Sequence, residues 1–284
     1  MSPVFFADTH RAIMEAALVM AARDVDYLIT RHDQGWCLEV AEQDLGRASE
    51  ELKAYWQENA APTELPREVE EVDSGWFGVL GYLAAIWALP ALQSTTAVDL
   101  SEAGHLHAEA VRNGELWRIV TALTLHADIG HILANSFFGT LFGLFVGRYL
   151  GSGLGWLLVL GCGSLANLTN ALIQPDAFRA VGASTATFAA LGLVPAFAWR
   201  RGYFRGRGFK RGFAPIFAAI CILAYTGFGG ARIDVGGHVF GFTFGIVAGL
   251  LVGEIDLKSR TLQDQQRAGA LAIILVASAW LWGT

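Results

Sequence analysis

Long runs without charged residues make up most of the chain from Ser74 to its end. A helix needs about 20 apolar residues to cross about 30 Å of hydrocarbon, so runs of this length indicate membrane-spanning helices. We count seven such runs, at 74–98, 129–147, 150–175, 180–199, 212–231, 235–253 and 268–284. The last run is the shortest, and six spans followed by a helix at the membrane surface are the alternative.

Residues 1–73 differ from the rest of the chain in charge and in glycine content. They carry six Lys/Arg against sixteen Asp/Glu, and only two of the 33 glycines. Apolar residues at helical spacing in 9–23, β-prone runs at 27–30 and 36–40, and a second helical pattern at 42–58 predict a small acidic α/β domain. We expect this domain to be soluble.

These differences divide the chain into four segments. They are the small acidic α/β domain (1–59), a linker (60–73), a transmembrane core (74–255), and a cytoplasmic loop with the seventh helix (256–284). The predicted fold class is an all-α polytopic membrane helix bundle with a small soluble α/β domain at the N-terminus. With 54% hydrophobic and only 16% charged residues, the composition argues against a disordered chain and an ordinary soluble enzyme.

The distribution of Lys and Arg among the loops predicts the orientation in the membrane. Ten lie in one set of loops, at Arg148, 200–211 and 258–267. The opposite set carries four, which are Arg112, Arg118, Arg179 and Arg232. Cytoplasmic loops are the richer in Lys and Arg, so we expect the N-terminal domain in the cytoplasm and, with seven spans, the C-terminus outside. This topology explains the Arg-rich loop without nucleic acid binding.

Polar side chains inside predicted spans are costly and therefore suggest function. His131 and Asn135 lie in the second span, Ser184 in the fourth and His238 in the sixth. These three spans run in the same direction, so the four residues fall near the non-cytoplasmic ends of their helices. A Ser with a His in reach is the minimum pair of nucleophile and general base, and an Asn with another His can stabilise a developing negative charge.

Each of these residues also has a structural interpretation. His131 and Asn135 can hydrogen-bond between helices, and Ser184 can cap the helix that it begins. A third catalytic member is not evident. Asp234 comes four residues before His238, where N-terminal capping is its simpler role.

Metal binding is the competing chemistry for the histidines, and the spacing argues against it. His126 and His131 are five residues apart, about 140° around a helix, and no H-E-x-x-H motif occurs. Cys37, Cys162 and Cys221 are far apart and are interpreted as small buried hydrophobes, not as a disulfide frame or a zinc site. We therefore expect neither a metal nor a cofactor.

Glycines recur every four residues in two predicted spans, at 139–151 and at 237–253. Such stripes let helices approach closely in a membrane, where lipid supplies no hydrophobic drive between them. We expect the helix that carries His238 to pack tightly against the helix that carries Ser184.

Four motifs, within roughly residues 75–255, resemble those of the rhomboid family of intramembrane serine proteases. They are Glu115-Leu116-Trp117-Arg118, His126-x4-His131-x3-Asn135, Gly182-Ala183-Ser184-Thr185 and Gly237-His238-x2-Gly241-x3-Gly245. The sequence departs from the family at Thr185, where rhomboids usually have Gly. Because a β-branched residue narrows the backbone conformations, this departure bears on rate and substrate range.

The resemblance implies a six-helix core and a site whose residues can be named. Ser184 would be the nucleophile and His238 its base, in a dyad without an acid. His131, Asn135 and the backbone N–H of Ser184 would form the oxyanion hole, Gly182 would belong to the catalytic loop, and Phe188 would pack against the catalytic His.

The resemblance also implies partners and a location. The substrates would be transmembrane segments of other proteins, cleaved within the lipid bilayer of a bacterial inner membrane, and no cofactor would be needed. The alternative is a catalytically weak or inactive rhomboid-like protein that binds client transmembrane helices. That alternative predicts loss of Ser184 or His238, and both are present.

Overall fold

The computed structural model describes residues 1–32, 35–59, 69, 71–204, 208–226, 233–255 and 261–284. The chain divides into two compact units, Met1–Thr63 and Glu64–Thr284. Five sequence-predicted features lie wholly or partly outside the described residues. They are the hairpin turn at 33–34, most of the linker at 60–73, the centre of the Arg-rich loop at 205–207, the end of the fifth span with the following Arg232 at 227–232, and the start of the cytoplasmic loop at 256–260.

The N-terminal unit packs two helices against a three-stranded antiparallel sheet of order β1-β3-β2. Its elements are β1 (Ser2–Ala7), α1 (His10–Ala22), β2 (Tyr27–His32), β3 (Gly35–Val40), a 3-10 turn (Glu42–Asp44) and α2 (Leu45–Asn59). Met20, Leu38 and Val40 are fully buried in the core. The sequence pattern does not predict β1, because its apolar residues Val4, Phe5 and Phe6 are consecutive and do not alternate.

The second unit is almost entirely helical. Its elements in chain order are α3 (Trp76–Gln93), α4 (Leu100–Gly104), β4 (Leu106–His107), α5 (Ala108–Arg112), α6 (Arg118–Thr121), a 3-10 turn (Ala122–Thr124), α7 (Ile129–Leu150), α8 (Ser152–Ile173), β5 (Arg179–Ala180), α9 (Ser184–Arg200), α10 (Gly208–Thr226), α11 (Val235–Val252) and α12 (Leu262–Gly283). Strands β4 and β5 pair antiparallel, which ties the segment after α3 to the segment before α9.

Each of the seven predicted runs overlaps one of the long helices. Within the described residues, five helices are long and apolar enough to cross a membrane: α3, α7, α8, α11 and α12. Helix α12 begins at Leu262 and has 22 residues, more than the uncharged run alone. Helix α9 has 17 residues, and the apolar part of α10 is Ala214–Tyr225. The structure therefore fits a polytopic helical membrane protein, and spans by α9 and α10 stay predictions.

Helix α9 lies at the centre of the second unit, in contact with α7, α8, α10 and α11. The glycine stripe of α11 allows the closest of these approaches. A Cβ on Gly241 would overlap the carbonyl oxygen of Thr185, and a Cβ on Gly245 would overlap that of Ala189. Helices α9 and α11 therefore pack backbone against backbone, as the glycine spacing predicts.

The three cysteines are not all buried. Cys37 and Cys162 are buried, but Cys221 is exposed on α10, so the expectation of a buried side chain is wrong for Cys221. An apolar run does not distinguish a lipid-facing position from a core position, because lipid is as apolar as the core.

Candidate active site

Two helix ends bring Ser184 and His238 together. Ser184 is the first residue of α9, and His238 lies in the first turn of α11. Because the Gly241 contact sets the backbones so close, the Ser184 Oγ lies 2.8 Å from His238 Nε2, within hydrogen-bond distance. The His238 side chain is 6% exposed. A hydroxyl with an imidazole nitrogen at this distance has the geometry of a nucleophile and its base.

An aromatic ring and a helix cap surround His238. The Phe188 ring, one turn after Ser184, lies with its centroid 4.3 Å from that of His238, at an interplanar angle of 39°. Asp234 caps α11 by accepting a hydrogen bond of 2.9 Å from the N–H of Gly237. The capping role expected for Asp234 is therefore the one observed, and the carboxylate is held at the helix end.

His131 lies against the loop that leads into Ser184. The N–H of His131 donates a 2.8 Å hydrogen bond to Asp128, the N-cap of α7. A Cβ on Gly182 would lie only 2.7 Å from His131 Nε2, and Gly182 has a φ of +139°, which side-chain-bearing residues rarely adopt. Gly182 is therefore required both by its backbone conformation and by the space that His131 occupies.

Asn135 lies one turn further along α7 and is 5% exposed. Its Nδ2 is buried without a hydrogen-bond partner among the described residues. Such a donor costs free energy unless something else satisfies it. Asn135 lines the same cavity as Ser184.

A cavity of about 740 Å³ connects these residues. Ser184, His238, His131 and Asn135 all line it. The aromatic residues that line it are Phe138, Phe142, Phe178 and Phe188. The charged residues that line it are Glu102, Asp128, Arg179 and Asp234. The cavity therefore offers both apolar and polar surface to an occupant beside the Ser184 hydroxyl.

Comparison with known proteins identifies the family. Residues 113–255, half of the chain, match the Rhomboid domain. The chain belongs to the rhomboid family. Among its relatives, Rhomboid-like protease 2 of Toxoplasma gondii is 30% identical over 163 residues, 56% of each chain. Putative rhomboid protease YdcA of Bacillus subtilis is 26% identical over 173 residues, 61% of this chain and 85% of the relative.

Another relative, Rhomboid protease GluP of Bacillus subtilis, is 30% identical over 191 residues, 66% of this chain and 36% of the relative. The chain thus covers about half of the Toxoplasma relative and about a third of GluP. The matched region contains Ser184 and His238, the two residues that make the 2.8 Å side-chain contact in the cavity.

Thr185, where rhomboids usually have Gly, lies in the interface between α9 and α11. It is 4% exposed, and its Oγ1 lies 2.9 Å from the position that a Cβ on Gly237 would occupy. Thr185 is not among the described residues that line the cavity of about 740 Å³. Its side chain therefore lies toward the helix that carries His238 and does not narrow this cavity.

The Trp-Arg motif of this rhomboid organises the segment between α3 and α7. Arg118 donates 3.0 Å hydrogen bonds to the carbonyl oxygens of Glu102 and His105, and a 2.6 Å hydrogen bond to the Glu115 carboxylate. The Trp117 indole donates a 3.4 Å hydrogen bond to the Ala103 carbonyl. The motif therefore holds together the loop that carries part of the cavity wall.

Two long-range contacts in the second unit were not predicted. The Asn170 amide of α8 donates 2.8 Å hydrogen bonds to both carboxylate oxygens of Asp234. The Trp280 indole of α12 donates a 3.1 Å hydrogen bond to Thr124 Oγ1. Both residues lie far in sequence from the groups they contact, and no motif indicates either contact.

Proposed function

We propose that this protein is an intramembrane serine endopeptidase that cleaves transmembrane segments of membrane proteins. The observation that carries the proposal is the 2.8 Å contact between Ser184 Oγ and His238 Nε2 beside a large cavity. Membership of a family whose relatives are named rhomboid proteases supports it.

The proposed reaction begins at the Ser184 hydroxyl. His238 Nε2 accepts its proton as Oγ attacks the carbonyl carbon of the scissile peptide bond. The carbonyl oxygen then carries a negative charge, which hydrogen bonds from Asn135 Nδ2, His131 and the Ser184 backbone N–H stabilise. When this intermediate collapses, the C–N bond breaks and His238 gives its proton to the leaving amine.

The second half of the reaction hydrolyses the acyl-enzyme. His238 accepts a proton from water, whose oxygen attacks the ester carbon, and then returns a proton to Ser184 Oγ. The same base therefore serves both halves. Close packing of His238 against Phe188 supports a fixed ring orientation, which lowers the entropy cost of each proton transfer.

The substrates and the orientation belong to the proposal as well. We infer that the segment 1–59 is cytoplasmic and that the cavity faces the non-cytoplasmic side of a bacterial inner membrane, because Lys and Arg concentrate in the opposite loops. Transmembrane segments reach the site through the lipid bilayer. Water reaches it from the non-cytoplasmic face.

The test uses the purified full-length protein in detergent. A fluorophosphonate probe should label the wild type at Ser184, and the wild type should cleave a model transmembrane substrate. Ser184→Ala should do neither, and His238→Ala should lose both by several orders of magnitude. Ser94→Ala, which removes an exposed hydroxyl bonded to the Ala91 carbonyl, is the matched control and should behave as wild type.

Two results would contradict the proposed protease activity. One is labelling and cleavage by the wild type no greater than by Ser184→Ala. The other is activity that survives in Ser184→Ala. Substrate helices that copurify with the wild type and are never cut would instead support the client-binding alternative.

A further inference from the structure

Side chains that commonly bind metal ions meet on one face of the N-terminal sheet. Alternate residues of a strand point to the same face, so Cys37 and Glu39 of β3 share one. On the neighbouring strand β2, Thr30 lies opposite Cys37, and His32 lies opposite Gly35. Thr30 and His32 therefore belong to the same face as the thiol and the carboxylate.

The ends of three of these side chains converge. The ligand atoms of His32, Cys37 and Glu39 all lie within 4.8 Å of one another. His32 and Glu39 are not cross-strand partners, because Glu39 lies opposite Leu28, four positions from His32. Four positions of strand span about 13 Å, so the two side chains lean toward each other over the sheet.

Thr30 lies between the two converging side chains. Its hydroxyl donates a 3.0 Å hydrogen bond to Glu39 Oε1 and lies 3.2 Å from His32 Nε2. These contacts hold the imidazole and the carboxylate above the thiol. Outer hydrogen bonds of this kind orient the ligands of metal sites.

The Cys37 side chain lies on the face of the sheet opposite that of Leu38 and Val40, which pack in the hydrophobic core. Cys37 is nevertheless 2% exposed, covered on the outer face of the sheet. Burial, and then the charge of Glu39, raise the pKa of its thiol. Once deprotonated, its sulfur is a soft ligand beside a nitrogen and an oxygen ligand.

We propose that His32, Cys37 and Glu39 form a binding site for a divalent transition metal ion of the Zn²⁺ class. Bond lengths of about 2.0–2.3 Å in a tetrahedron put ligand atoms about 3.3–3.7 Å apart, so the three atoms need to close by about 1 Å. The exposed His32 and the half-buried Glu39 leave room for that movement. The thiol releases its proton to solvent as the sulfur–metal bond forms, and a fourth position stays open for water.

The spacing of the ligands explains why the sequence alone does not indicate this site. Cys37 stands alone in the sequence, without the paired cysteines or histidines of zinc motifs, so the sequence alone indicates only a small hydrophobic residue. The antiparallel pairing of β2 with β3 brings the three residue types together.

Titration of the full-length, metal-free protein with Co²⁺ in detergent tests the site. Co²⁺ substitutes for Zn²⁺ and reports a thiolate ligand through a sulfur-to-cobalt charge-transfer band in the near ultraviolet. We expect one equivalent to produce this band and Zn²⁺ to bleach it. Cys37→Ser should abolish the band, and His32→Ala and Glu39→Gln should each weaken binding by more than about tenfold, since even outer hydrogen-bond partners have effects of 10–100-fold.

Matched controls remove a thiol or an imidazole elsewhere. Cys221→Ser removes an exposed thiol on α10, and His10→Ala removes the imidazole that packs edge-on against Trp36. Both should titrate as wild type.

Three outcomes would overturn the proposal: no charge-transfer band in the wild type, a band that survives Cys37→Ser, or a band lost in Cys221→Ser. If Cys37→Ser does not fold, the exposed His32→Ala variant decides, and unchanged Co²⁺ affinity in that variant overturns the site.

Discussion

Replacement of Asn135 by alanine should separate activity from stability. In the proposed mechanism the Asn135 amide donates to the oxyanion, and loss of one such donor costs about 2.7–4 kcal/mol, or about 10²–10³-fold in kcat. In the free protein, however, Asn135 Nδ2 is buried without a partner among the described residues. Its removal therefore breaks no hydrogen bond of that amide within the described structure.

The expected change in stability rests on the same observation. A buried donor without a partner costs about 1–3 kcal/mol, and the variant recovers part of this while losing a few dispersion contacts at the cavity wall. The free energy of unfolding of Asn135→Ala should thus be equal to that of the wild type or higher by about 1 kcal/mol. The variant should be slow and at least as stable as the wild type.

Asn170→Ala is the matched control, because it also removes a buried asparagine amide, but one whose N–H groups are hydrogen-bonded to Asp234. Asn170 is fully buried and donates to both oxygens of Asp234. Hydrogen bonds to a charged group contribute about 1.5–3 kcal/mol, so this variant should unfold at a clearly lower temperature. Its kcat should also fall, since Asp234 caps the helix that carries His238.

The assay pairs thermal unfolding in detergent with kcat and KM on a transmembrane substrate. The reasoning is refuted if Asn135→Ala is destabilised as much as Asn170→Ala, because its amide would then have a partner in the free protein. It is also refuted if Asn135→Ala keeps wild-type kcat, since the amide would then not reach the oxyanion.

Two further substitutions test the packing around the site, and a third tests the pH dependence of stability. Gly182→Ala should lower kcat by at least about tenfold for two reasons. The added Cβ would displace the His131 ring, and alanine rarely adopts the φ of Gly182. A kcat equal to that of the wild type would contradict this. Gly241→Val should lower both the unfolding temperature and kcat, because a side chain there forces α11 away from Thr185, and a wild-type melting curve would contradict the close packing. Burial lowers the pKa of His126 to about 4. The unfolded chain, with a pKa near 6.5, therefore binds more protons than the folded protein between about pH 4 and 6.5. The free energy of unfolding is therefore unaffected by His126 above pH 6.5, and it falls by up to about 3 kcal/mol as the pH is lowered toward 4. In melting curves between pH 7.5 and 4.5, His126→Phe should therefore lose less stability than wild type, and equal losses would contradict the assignment.

Much of the candidate site was predictable because its residues stand out locally. Ser184 and His238 are polar residues within uncharged runs, where burial without function is costly, and the spacing of Gly241 and Gly245 predicts the helix contact that joins them. The 2.8 Å contact and the tight approach of α9 and α11 agree with that prediction. The presence of Thr185 in place of Gly was visible in the sequence. The direction in which its side chain points was not, because helix packing turns this side chain toward α11 and away from the cavity.

Other parts were unpredictable for a physical reason. The strand β1 has consecutive apolar residues, and the metal ligands proposed at His32, Cys37 and Glu39 depend on strand pairing. In both cases the information lies in tertiary contacts and not in periodicity.

The contact of Asn170 with Asp234 is one that the sequence pattern does not reveal, and it bears on the proposed catalysis. It is one of two buried amides on α8, and nothing in the sequence links it to Asp234, 64 positions later. Yet this contact anchors the N-terminus of α11 four residues before His238. In the proposed mechanism the motif residues supply the reacting atoms, whereas contacts between helices determine how firmly His238 is held. Two rhomboids with identical motifs can therefore differ in rate through a single buried amide, and comparing the kcat of Asn170→Ala with that of the wild type, at a temperature where both are folded, measures that contribution.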